Sequence, residues 1–68
     1  MRILLNGEPR ELQAPATVAD AVDVSGAPGS RDGVAVAVGG EVVPRSMWAD
    51  RALAEGDQVE VLQAVQGG

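Results

Sequence analysis

Apolar residues alternate with small or polar ones in several stretches of this chain, and each stretch ends at residues that break a strand. The most regular lies between Gly33 and Gly40, where Val34, Val36 and Val38 alternate with Ala35 and Ala37. A period of two predicts a strand with the valines inward and the alanines outward. Arg2-Ile3-Leu4-Leu5 alternates in part and runs into Asn6-Gly7, the strongest short hairpin signal. A return strand is therefore predicted from Pro9 to Gln13, with Leu12 inward and Arg10, Glu11 and Gln13 at the solvated positions of an edge. After Gly39-Gly40, a short strand Glu41-Val42-Val43 is stopped by Pro44, which has no N–H for a ladder, and Arg45-Ser46-Met47-Trp48 reads as a helical turn. Glu55-Gly56-Asp57 is a turn that launches a last strand from Gln58 to Val65, with Val59, Val61 and Val65 toward the core.

One segment carries the helical period instead. Val18, Ala21 and Val22 fall at i, i+3 and i+4, behind Thr17 as N-cap and with Asp20 placed as its capping-box partner. Ser25 to Gly33 then forms a crossover loop; it has no Lys and no following helix, so its glycines do not make a phosphate-binding loop. The resulting order of strand, strand, helix, strand, short strand, strand predicts an α+β domain, one helix laid across a mixed sheet of four to five strands.

Size and composition narrow the chemistry. At 68 residues the chain holds one small domain, and its core must be aliphatic because Trp48 is the only aromatic residue. There is no cysteine, so neither a disulfide nor a thiolate metal site is expected, and no metal or other cofactor is expected to be bound. Five Arg, no Lys and ten acids give a formal charge of −5, which disfavours nucleic acid and anionic membrane surfaces. No apolar run approaches a membrane span or a signal-peptide core, so a cytoplasmic location is expected. With no His, Cys, Lys or Tyr, a self-contained nucleophile and base pair is hard to assemble, and the chain is not expected to be an enzyme.

The candidate chemistry sits at the end. Beyond the last strand come Gln66-Gly67-Gly68, a narrow tail adding about 10 Å of reach. Glycine has no Cβ, so the tail fits a tight channel and leaves the last carbonyl open on both faces. Two terminal glycines arise by chance in about 2% of chains this rich in glycine, so a ragged end is a weak account. An ionised carboxylate is a poor electrophile, and acyl transfer from Gly68 requires prior activation, for example by ATP, by a partner.

Val43-Pro44-Arg45-Ser46-Met47-Trp48, Glu55-Gly56-Asp57-Gln58-Val59-Glu60-Val61 and the final Gly67-Gly68 together resemble the ThiS family, the sulfur carriers of thiamine thiazole biosynthesis. The first of these segments is similar to the family's V-P-R-x-x-W, and the likeness extends over all 68 residues as one domain, with 66–68 as exposed tail. At Gly39 the chain departs from the Asn that many relatives carry. The resemblance implies a ubiquitin-like β-grasp fold. It also implies that a ThiF-like adenylyltransferase of the ubiquitin-activating type uses MgATP to adenylate Gly68, that a cysteine desulfurase supplies persulfide sulfur, and that a ThiG-like thiazole synthase receives it from the terminal thiocarboxylate.

Alternation along the strands places Leu4, Ala35, Ala37 and Leu62 on the sheet face opposite the helix, an apolar patch that, with Arg45, is a candidate docking surface. Trp48, as the sole aromatic, is expected to pack in the core. Three other functions fit the same residues: a sulfur carrier for molybdopterin, tRNA thiolation or amino-acid biosynthesis; a ubiquitin-like modifier amide-linked through Gly68; and a non-covalent binding module.

Overall fold

The computed structural model describes residues 1–64. The expected inward position of Val65 and the tail positions Gln66, Gly67 and Gly68 lie outside the described residues.

Strands β1 (Arg2–Leu5), β2 (Glu8–Glu11), β3 (Val34–Val38), β4 (Glu41–Val43) and β5 (Gln58–Gln63) form one five-stranded sheet in the order β2-β1-β5-β3-β4. The chain also forms helix α1 (Val18–Val24) and a 3-10 turn over Arg45–Met47. β1 and β5 pair in parallel at the centre, and every other pairing is antiparallel. Both hairpins turn on two residues with positive φ: Asn6 and Gly7 at 52° and 82°, Gly39 and Gly40 at 57° and 83°. Such turns match the twist of the flanking strands and select Asn or Gly, so an Asn or a Gly at position 39 serves the same geometry.

The core is aliphatic apart from Trp48. Ile3, Leu5, Val36, Val38, Val59 and Val61 on the sheet meet Val18, Ala21 and Val22 of α1, closed at one side by Val43, Trp48 and Leu53. Capping fixes the start of α1: the Thr17 N–H donates to the Asp20 carboxylate at 2.8 Å. The donors of its first turn that lack partners within the helix are taken by the end of the 3-10 turn and the segment after it, Val18 N–H by the Arg51 carbonyl at 2.9 Å and Ala19 N–H by that of Trp48 at 3.0 Å. The Trp48 indole N–H donates to the Val43 carbonyl at 2.9 Å, so the ring is both core and clasp.

Two sequence expectations shift. β2 runs from Glu8 to Glu11 instead of from Pro9 to Gln13; Leu12 still exchanges both backbone hydrogen bonds with Met1, at 2.8 Å each, in the same register, and lies partly buried against the core in the inward position expected of it. β5 ends at Gln63, where Ala64 turns its N–H to the Gly33 carbonyl at 2.8 Å. Leu53 and Ala16, buried at 8% and 2% exposure, are core residues that no periodic pattern marked; a bridge between Thr17 and Ala52 holds their two segments together.

Candidate functional site

The functional geometry is organised around β5, the strand whose chain continues into the tail. Its parallel neighbour β1 supplies only Leu4 and Leu5 to the pairing, opposite Gln58 and Val59. Beyond Leu5 the chain turns away, yet the ladder continues. The Asn6 N–H donates to the Val59 carbonyl at 2.9 Å. Its side-chain amide donates to the Val61 carbonyl at 3.2 Å and accepts from the Val61 N–H at 2.8 Å. A carboxamide has the donor and acceptor of a peptide group, so Asn6 stands in for a missing residue of β1.

On its other side β5 pairs with β3 along five positions, from Val38↔Val59 to Val34↔Gln63. Just past that register, Gly33 meets Ala64, the last described residue before the tail. Gly33 has φ +71°, and a Cβ there would stand 3.4 Å from the Ala64 carbonyl oxygen. The loop holding Gly33 is pinned by two arginines. Arg31 donates to the carbonyls of Ala27 and Pro28, at 3.2 and 3.1 Å, and pairs with Asp23. Arg45 donates to the Ser30 carbonyl at 2.9 Å.

The sheet face away from α1 bears the expected patch, in a finer arrangement. Ala35, Ala37 and Leu62 line one shallow depression of about 90 Å³, together with Val42 and Glu60. Leu62 and Val42 are 62% and 72% exposed. Leu4 lies on the same face but in a neighbouring hollow with Gly7, Gln58 and Glu60. Arg45 lines neither, its guanidinium being engaged by the crossover loop. Sequence reasoning passed over Val42, although its place was readable: the two-residue turn at Gly39-Gly40 sets Val38 against Glu41, and therefore Ala37 against Val42. Trp48 is in the core at 6% exposure. Among the described residues no cluster of acids suited to a metal ion is present, and no helix is long and apolar enough to cross a membrane.

A five-stranded mixed sheet grasping one helix, with the last strand central, is the ubiquitin-like β-grasp architecture. The sequence model of the ThiS family matches residues 3–68, and the chain belongs to that family. It is similar to the sulfur carrier protein ThiS of Escherichia coli (strain K12), 31% identical over 68 residues that span all of both chains. Among solved structures it is similar to the thiamine biosynthesis protein ThiS of Geobacter metallireducens. The crystal structure of that protein has a TM-score of 0.74 and 27% identity, covering 100% of both chains. Its solution structure has a TM-score of 0.77 and 26% identity, covering 100% of this chain and 88% of the other. SAMP1 of Haloferax volcanii shares the fold, with a TM-score of 0.63 and 22% identity over 98% of this chain and 97% of that one.

Proposed function

We propose that this chain is a cytoplasmic sulfur carrier and not an enzyme, and that its working group is the carboxylate of Gly68. In this reading a ThiF-like adenylyltransferase binds MgATP. A Gly68 carboxylate oxygen attacks the α-phosphorus, pyrophosphate leaves, and the acyl carbon becomes a competent electrophile. The terminal sulfur of a cysteine persulfide, loaded by a desulfurase, attacks that carbon and AMP leaves. A second thiol then cleaves the sulfur–sulfur bond, releasing the Gly68 thiocarboxylate and a disulfide. A ThiG-like thiazole synthase takes the sulfur from there in thiamine biosynthesis. Gly67 and Gln66 give the tail access to both partners, since a chain without bulk at its end threads a narrow channel.

The observation that carries this reading is the extent of the likeness: the family match runs through residue 68, and the relative named a sulfur carrier aligns end to end with this chain. The absence of His, Cys, Lys and Tyr supports it, because a self-contained nucleophile and base pair is then hard to assemble within the chain. The apolar depression of Ala35, Ala37, Val42 and Leu62 is the docking surface in this scheme, and Leu4 extends it. Arg45 contributes by holding the crossover loop beside the exit of β5.

Intact-mass analysis tests the proposal directly. After incubation with MgATP, a ThiF-like adenylyltransferase and a desulfurase-derived persulfide, the protein is expected to gain the mass of one oxygen-for-sulfur replacement, mapped by fragmentation to Gly68. A Gly68 that remains a plain carboxylate under those conditions refutes the carrier reading. An amide link from Gly68 to lysines of other proteins, with no thiocarboxylate formed, identifies a modifier instead.

A further inference from the structure

Glu60 is an exposed carboxylate set among apolar neighbours. On the open face of β5 it stands between Gln58 and Leu62, directly across from Ala37, whose far neighbour is Val42. It is the one charged side chain lining the apolar depression formed with Ala35, Ala37, Val42 and Leu62.

None of the chain's own cations reaches it. The chain has five Arg and no Lys, and each Arg is engaged elsewhere: Arg2 with Glu11, Arg10 with the Val24 carbonyl, Arg31 with Asp23, Arg45 with Ser30 and Arg51 with Ala52. The N-terminal amine is bonded to the Leu12 carbonyl. Glu60 forms no ion pair among the described residues. In the free protein, water solvates its carboxylate. A partner that covers the depression strips that water away, and an unpaired carboxylate under an apolar surface opposes association.

Resting on the carrier reading above, we infer that the surface of the adenylyltransferase that docks here is apolar and carries an arginine set opposite Glu60. Arginine suits the position better than lysine: its guanidinium is planar, more weakly hydrated, and meets a carboxylate through two parallel N–H donors. Glu60 thereby selects among partners. An apolar surface without the cation is rejected by the buried charge, and a basic surface without apolar contact leaves Leu62 and Val42 uncovered.

The carboxyl-to-leucine change distinguishes the two kinds of partner surface by sign. If the partner offers only apolar contact, Glu60→Leu removes an obstacle and tightens docking. If the partner offers an arginine, the same change buries that arginine without a counter-charge and weakens docking. The measurement is pyrophosphate release at increasing carrier concentration, using the purified adenylyltransferase and MgATP. Glu60→Leu is expected to raise KM for the carrier about tenfold with kcat nearly unchanged, the pattern of lost uniform binding. Glu60→Gln, which keeps size and polarity, is expected to raise KM in the same direction by a smaller factor. Both variants should keep the wild-type melting temperature or exceed it, the site being an exposed strand position. A KM that falls or stays level for Glu60→Leu overturns the inference. Absence of pyrophosphate release from the wild-type protein overturns the carrier reading instead, and the inference falls with it.

Discussion

Asn6 serves two elements at once. Its backbone, at φ 52°, makes the first half of the tight turn between β1 and β2, a conformation that asparagine accepts more readily than other non-glycine residues. Its side chain meanwhile pairs both backbone groups of Val61, replacing a residue that β1 lacks. Removing the carboxamide leaves a partly buried N–H and carbonyl to find other partners, so Asn6→Ala is expected to destabilise the fold by about 1–3 kcal/mol. Asn6→Gly separates the roles: it keeps the turn and loses the bridge. Urea denaturation followed by Trp48 fluorescence measures both variants; an Asn6→Gly protein as stable as wild type would show that the bridge contributes nothing. The Asn-Gly pair was legible in the sequence as a turn. The bridge was not, because Asn6 and Val61 are 55 positions apart and only the parallel pairing of β1 with β5 brings them together.

At the scale of elements, the crossover loop is tied to the end of β5 through Gly33 and Ala64. Arg31 and Arg45 hold the loop, the loop presents Gly33, and Gly33 accepts the hydrogen bond from Ala64. A Cβ at position 33 meets one penalty, the left-handed backbone, worth roughly 1–2 kcal/mol for a non-glycine residue, while the Ala64 carbonyl oxygen at 3.4 Å stands at ordinary contact distance. Gly33→Ala is therefore expected to lower amide exchange protection at Ala64 and to lower global stability by about 1 kcal/mol or more. Unchanged exchange at Ala64 would mean that this contact does not anchor the strand end. The loop read as plain connection, since its glycines match no ligand motif, and an anchoring role appears only once Ala64 is seen beside it. The strands and helix were far more legible. Alternating valines over 34–38 and the Thr17–Asp20 cap are local signals that the tertiary structure reinforces. Leu53 and Ala16 carry no such signal, being buried by a side-by-side run of two irregular segments, whereas the inward place of Leu12 was legible from the alternation of its strand.

The whole molecule divides its labour along the chain. Among the described residues, the buried apolar cluster begins at Ile3 and ends at Val61, and the sheet pairing ends at Gln63 with Val34. The described residues hold a buried apolar cluster and a five-stranded sheet, and the proposed chemistry belongs to Gly67 and Gly68. A small domain of this kind has little stability to spare, so a carrier gains from keeping its reacting residues apart from its packed ones. Deleting Gly67 and Gly68 is accordingly expected to change unfolding free energy by less than about 0.5 kcal/mol, the usual range for changes away from packed or bonded groups. The same deletion is expected to abolish sulfur loading while the truncated chain still competes with full-length carrier for the adenylyltransferase, because the depression around Leu62 and Glu60 is untouched. Thermal unfolding and a competition assay with the truncated chain as inhibitor measure the two halves independently. A large loss of stability would place residues 67–68 within the folded unit, and a truncated chain that fails to compete would place the docking energy in the tail instead of on the sheet.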